Sequence, residues 1–125
     1  MIALPLIVSE YEIIEMWGVL IDNALEALLE TDYEKKKIII GYKREDGWDI
    51  FYVSNISIFY SREEIDKFFQ RNYSSKGFGR GIGLDKIRKK LKQLDGGIKV
   101  ENKMENGDQY LEFSIMLPQN NSCHI

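Results

Sequence analysis

The stretch SSKGFGRGIGLDKI, residues 74–87, places glycine at 77, 79, 81 and 83 and passes directly into a helix-forming run. Four side chains are given up where a helix begins. Glycine lets backbone amides approach a ligand closely and accepts positive φ. The first turn of a helix offers unpaired N–H groups and the positive end of its dipole. Together they make an anion site, most often for phosphate, and Lys76 and Arg80 are placed to add charge-assisted contacts. A flexible surface loop is the alternative for a glycine-rich stretch taken alone. Two common phosphate motifs do not fit. A Walker loop needs lysine after its last glycine, where this chain has Leu84, and the dinucleotide fingerprint needs glycine at 82 or 84 and a preceding strand.

The elements around this loop can be read from spacing. Ser9 and Glu12 form a capping-box pattern that opens a helix to about Glu30. Along it Ile13, Trp17, Leu20, Ala24 and Leu28 recur at gaps of 4, 3, 4 and 4, with Ile14, Ile21 and Leu25 beside them, which predicts a broad buried stripe. KKIIIGYK and WDIFYVS read as strands joined by a turn containing Asp46-Gly47. Ser61 and Glu64 open a short helix through about Phe69. A helix from Ile82 to about Leu94 is stopped by Gly96-Gly97. GIKVENK and QYLEFSIML form a second hairpin around Asn106-Gly107. Four strands and three helices in 125 residues predict a single α+β domain, a two-layer sandwich with the helices on one face. That domain covers residues 1–118, followed by a polar tail, 119–125.

Composition narrows the classes. The chain is 44% hydrophobic and 30% charged with only two prolines, an ordinary globular balance. A net charge of −3 argues against nucleic acid as a partner. The single cysteine, Cys123, excludes an internal disulfide and fits a reducing compartment. IALPLIV, near the start, is too short to span a membrane, so a cytoplasmic location is expected, with no membrane insertion of this segment.

A second chemical feature lies in LIDNALEALLE. Asp22, Glu26 and Glu30 share one side of the first helix, where like charges oppose each other by about 0.2–0.5 kcal/mol per pair. A solvated acidic face is the plain reading. Asn23, a poor helix former in mid-helix, favours another, because amide and carboxylate oxygens suit magnesium shared with substrate phosphates. Phosphate loop and oxygen-rich helix together suggest a Mg-nucleotide site.

Helix with Asn-Ala, strand pair, lid, then Gly-x-Gly-x-Gly-Leu opening a helix resembles the GHKL nucleotide-binding family, which includes gyrase, Hsp90, MutL and the histidine kinases. DNALEA at 22–27, FFQRNYSSKGFGRGIGL at 68–84, DGGIKVEN at 95–102 and MLP at 116–118 carry the likeness. In texture it is similar to the ATP-binding catalytic domain of quorum-sensing receptor kinases of the accessory gene regulator (AgrC-like) type. The resemblance implies a Bergerat-type α/β sandwich with a mixed, mostly antiparallel sheet, and ATP and Mg²⁺ as cofactors. It gives Asn23 the metal, with Glu26 as a second candidate ligand. Gly79, Gly81 and Gly83 would line the phosphate pocket, Leu84 would pack the helix behind it, and Lys76 and Arg80 would stand near the phosphates at the end of a lid spanning 56–80.

The chain departs from the family pattern at three places. Asn55-Ile-Ser-Ile-Phe stands where Asp-x-Gly-x-Gly is usual, leaving the Asn55 amide oxygen to accept from adenine. Glu26 stands where many histidine kinases have lysine. Val19 replaces the glutamate that activates water in hydrolytic branches, and valine cannot act as a general base. The implied function is phosphoryl transfer in a two-component sensor histidine kinase. The acceptor histidine would lie on an upstream dimerisation helix outside this chain, since the only histidine here, His124, sits in the tail, and a response regulator would act downstream. The chain would then be the cytosolic part of a membrane receptor. The alternative is a degenerate nucleotide-binding or protein-interaction module without kinase activity.

Overall fold

A computed structural model describes residues 10–29, 34–70 and 83–119. Helix α1 spans Glu10–Leu29, strands β1 and β2 Ile38–Glu45 and Trp48–Ile56, α2 Arg62–Lys67, α3 Leu84–Gln93, and β3 and β4 Gly97–Glu105 and Asp108–Pro118. The four strands form one sheet in the order β1-β2-β4-β3, and every pairing is antiparallel. Both hairpins close on the expected dipeptides. Asp46 and Gly47 have φ of 51° and 85°, Asn106 and Gly107 53° and 82°, so each turn has the two consecutive positive φ values of a type I′ turn. The strands run up to these turns and extend beyond the apolar runs that announced them.

Alternation sorts the sheet into two faces. Phe51, Val53, Leu111, Phe113, Ile115, Leu117 and Val100 lie beneath the helices, in one core with Ile13, Met16, Leu20 and Ala24 of α1, Ile65 of α2, and Leu84, Ile87 and Leu91 of α3. The predicted stripe of α1 is narrower than its spacing suggested. Ile14 and Leu25 are 65% and 45% exposed, and Met16 takes a core place instead. A helix on a sheet buries only the arc facing the strands, so residues a further quarter turn round remain outside. Trp17 sits at the edge of the arc, its ring 5.1 Å from that of Phe51 and its Nε1 donating to the Tyr52 carbonyl at 3.4 Å.

The ends of the helices follow side-chain chemistry. Ser61 and Glu64 make the predicted capping box, Glu64 N–H to Ser61 Oγ at 3.1 Å and Ser61 N–H to Glu64 Oε1 at 2.8 Å. Ser9, half of the other predicted box, lies outside the described residues. α3 begins at Leu84, two residues later than expected, because Gly83 is extended and serves as its N-cap. Its stop also differs from the prediction. Asp95, not a glycine, takes the left-handed position (φ 63°). Gly96 is needed for closeness, since a Cβ there would stand 2.4 Å from the Met116 carbonyl oxygen.

Opposite the helices the sheet presents polar side chains. Ser54 Oγ donates to Glu112 Oε1 at 2.6 Å, and Lys103 Nζ lies 3.2 Å from Glu112 Oε2. Tyr52 lies across Gly41, where a Cβ would fall 2.2 Å from the tyrosine oxygen. Gly41→Ala should therefore displace the ring and lower stability by about 1 kcal/mol, measured by urea denaturation.

Two groups tie stability to alkaline pH. Burial, then the hydrogen bond and charge of Asp49, hold the Tyr42 hydroxyl above its ordinary value, with Arg44 opposing. At Lys103 burial pulls the ammonium down, but its hydrogen bond and ion pair with Glu112 outweigh this and leave it raised. In both cases the folded state holds the proton more tightly than the unfolded chain. Their contribution is complete below about pH 10 and fades as pH rises through the folded values. A denaturation midpoint that falls above about pH 10, with a shallower fall in Glu112→Gln, is the expected result.

Candidate functional site

The site is fixed by the opposite directions of α1 and α3. Gly96, just past the end of α3, abuts Met116, and Gly97 pairs with Met116 near the sheet end where Trp48 pairs with Pro118. Lys90, in the last turn of α3, pairs with Glu12 near the start of α1 at 2.6 Å. Further along α1, Trp17 reaches Tyr52, which is further along β2 towards Asn55. α1 thus advances towards the Asn55 end of the sheet while α3 starts from that end. On α1, Asn23 stands roughly three turns beyond Glu12 and on the same side, the side of α3. On α3, Gly83 and Leu84 stand roughly two turns back from Lys90. Three predicted contributors, Asn23, Asn55 and the glycine-led start of α3, are thereby gathered at one end of the two-layer sandwich.

Each has a definite environment. Asn23 is half-buried, as is Glu26, while Asp22 is exposed. Asn55 is buried at 4% exposure on the helix side of β2, opposite Leu111. Its Nδ2 donates to the Ile56 carbonyl at 3.0 Å, which orients the amide and leaves Oδ1 as the acceptor for a ligand. Gly83 has no side chain to cap the helix, and the Asp85 carboxylate lies so near that a Cβ on Gly83 would meet Oδ1 at 2.7 Å. Leu84 is buried in the core. Lys76, Gly79, Arg80 and Gly81 lie outside the described residues, as does Glu30.

These residues fit a nucleotide carrying its own metal. Among the described residues no three Asp, Glu, His or Cys side chains converge on a metal site. Asn23 and Glu26 could offer a cation one amide and one carboxylate oxygen, and magnesium commonly completes such a set with phosphate oxygens. A separate cavity of about 390 Å³ lies over the opposite face, lined by Lys43, Ile50, Tyr52, Lys103 and Glu112 among others. It is on the wrong side of the sheet to join this site, and its buried carboxylate is already held by Ser54 and Lys103.

Sequence reading missed how the segment after β2 is fastened to β3. Asn102, on β3, accepts from the Tyr60 N–H at 3.0 Å and donates to the Tyr60 carbonyl at 2.8 Å, imitating a strand partner. Gln109 Nε2 also donates to Asn102 Oδ1, at 3.1 Å. The available signal was an asparagine within a strand, where that residue is depleted. Tyr60 then turns inward, its ring 5.3 Å from Phe68, which stacks on Phe113 at 6.3 Å. Phe59 points out, 67% exposed. The basic side of α3 is partly engaged. Lys90 holds Glu12 and Arg88 covers the Phe69 ring at 4.6 Å, while Lys86, Lys89 and Lys92 are exposed. Asn102→Ala should cost about 2 kcal/mol for two lost backbone partners and speed hydrogen exchange at the Tyr60 amide, read by NMR.

Comparison with known proteins places the chain in a family and supports the fold. The profile of the GHKL domain matches residues 9–118. The chain is 32% identical to sensor protein CitS of Bacillus subtilis over 117 residues, covering 93% of this chain and 20% of that protein. It is 31% identical to a probable C4-dicarboxylate sensor kinase of Halalkalibacterium halodurans, covering 90% and 21%. With sensor histidine kinase DcuS of Escherichia coli K12 the identity is 32%, covering 81% and 18%. The chain thus spans about a fifth of the length of these relatives. In fold it is similar to the catalytic domain of histidine kinase ThkA, with a TM-score of 0.54 and 24% identity, covering 82% of this chain and 64% of that one.

Proposed function

The chain belongs to the GHKL family, among the catalytic domains of sensor histidine kinases, and from that premise we propose that it binds Mg-ATP at the Asn55 end of the sandwich and serves phosphoryl transfer to a histidine on a dimerisation helix of its full-length protein. The observation that carries the reading is the convergence of Asn23, Asn55 and the start of α3, contributed by three separate elements. ATP supplies the γ-phosphoryl group, and Mg²⁺ neutralises charge on its oxygens. Asn55 Oδ1, aimed by the bond from its own Nδ2, accepts from the adenine amino group. Asn23 and Glu26 hold the metal. Gly79, Gly81 and Gly83 present amides to the phosphates without side chains in the way, and Lys76 and Arg80 add charge. Leu84, locked in the core, keeps α3 aligned behind them. Val19, half-buried, offers no base to activate water, which favours transfer over hydrolysis.

In the full-length protein the domain would face the cytoplasm beneath a membrane sensor and act upstream of a response regulator. DNALEA and the lid end give it the texture of quorum-sensing kinases of the accessory gene regulator type, whereas the relatives found are CitS and DcuS. The nucleotide chemistry proposed is the same in either setting. The second reading, a module without kinase activity, is favoured by one observation, the absence of glycines after Asn55.

Calorimetric titration of ATP with and without Mg²⁺ tests the proposal. Binding should require Mg²⁺ and weaken at least about tenfold, about 1.4 kcal/mol, in Asn23→Ala. The melting temperature should not fall, since alanine is the better helix former. No saturation at millimolar ATP would favour the module without kinase activity.

A further inference from the structure

α1 carries a second apolar stripe that the described residues leave mostly uncovered, with Ile21 alone packed in part against the core. Tyr11, Ile14, Gly18, Ile21 and Leu25 follow one another at gaps of 3, 4, 3 and 4, and Leu29 extends the row. Tyr11, Ile14, Leu25 and Leu29 are 72%, 65%, 45% and 76% exposed. A helix that had only a sheet to cover would carry polar residues there. Alternating gaps of 3 and 4 form the seam by which one helix receives another. The stripe lies on the flank of α1 away from α3, since Glu12, on the other side, is the residue that pairs with Lys90. From this flank the contacting rings of Trp17, Phe51 and Tyr42 lead to the edge strand β1, where Ile40 is also exposed.

Gly18 stands in the middle of the stripe. Apart from its chain neighbours and the helix's own backbone, none of the described residues lies within 4 Å of the place its Cβ would take. No contact among the described residues asks for glycine, although glycine in a helix interior costs about 1 kcal/mol relative to alanine. A second helix crossing at that point would ask for it, because a missing side chain lets two backbones approach. The solvent edge of the stripe is acidic, with Glu15 and Asp22 exposed on either side of Gly18 along the chain. Two copies of α1 crossing antiparallel at Gly18 would set Glu15 of one near Asp22 of the other, so the flank opposes self-pairing and suits lysine or arginine.

We propose that this stripe is a docking surface for an amphipathic partner helix with an apolar heptad seam flanked by basic residues. It is separate from the nucleotide reading, because Asn23 lies on the opposite flank of α1. The probe is a labelled synthetic helix with leucine and isoleucine at the seam and lysine at the flanking positions, and a second with glutamate at those positions. Both are titrated against the whole chain by fluorescence anisotropy. The lysine helix should bind saturably and the glutamate helix should not. Ile14→Asp should weaken binding at least about tenfold, while Glu15→Lys, with Asp22→Lys, should reverse the preference between the two helices. That reversal separates a specific seam from general stickiness, and circular dichroism confirms that these exposed variants remain folded. Equal binding of both helices, binding of neither, or indifference to Ile14→Asp would overturn the proposal. So would a dimer of the chain alone, seen by sedimentation and abolished by Ile14→Asp, which would make a second copy the occupant.

Discussion

The structure depends on β4. It is one of the two central strands of the described sheet and joins the hairpins, pairing with β2 of the first on one side and with its own partner β3 on the other. Its helix-side residues, Leu111, Phe113, Ile115 and Leu117, are all in the core. Phe113 receives Phe68 from the end of α2, and the Met116 carbonyl fixes how closely the end of α3 can approach. Until this strand is seated, α1 with the first hairpin and α3 with β3 have no common floor. The last strand in sequence therefore determines the separation between Asn23 and the start of α3, residues far from it in the chain.

That dependence explains why the site is built at an edge of the core. In the role proposed for it, Asn55 would need both burial and an accessible acceptor. Its place near the end of β2 supplies burial by α1 and the sheet, and the bond to Ile56 leaves Oδ1 free to act. The charged work of the domain is divided by face. On the helix side, ion pairs such as Glu12–Lys90 set helix positions, while on the other side Lys103 and Ser54 hold Glu112 in an otherwise costly place.

Much of this was legible in the chain. Asn-Gly and Asp-Gly fixed both hairpins because positive φ at two successive residues admits few alternatives. Ser61 and Glu64 announced their capping box because its partners are three residues apart. What was not legible depends on contacts distant in sequence. The clasp of Asn102 on Tyr60 spans the whole of α2 and α3, and nothing local requires it. Ile14 and Leu25 were assigned to the core because periodicity reports which positions are apolar, whereas a sheet decides how wide an arc is covered. Asp95 takes the left-handed place at the end of α3, while Gly96 is spent on the close approach to Met116. The family likeness lay in short motifs, whereas the nearness of Asn23, Asn55 and the start of α3 depends on helix directions that no motif states.

The strand order has one further consequence. The segment between β2 and β3, residues 57–96, joins two hairpins whose registers are each set by their own tight turns. Lengthening that segment ahead of α3 would shift no strand by a residue, and doubling a flexible connection adds only about 0.6 kcal/mol of closure entropy. The proposed nucleotide cover and phosphate loop would thus occupy the part of the chain where insertions are best tolerated, and the scaffold could exchange the reach and timing of such a lid without renegotiating its fold.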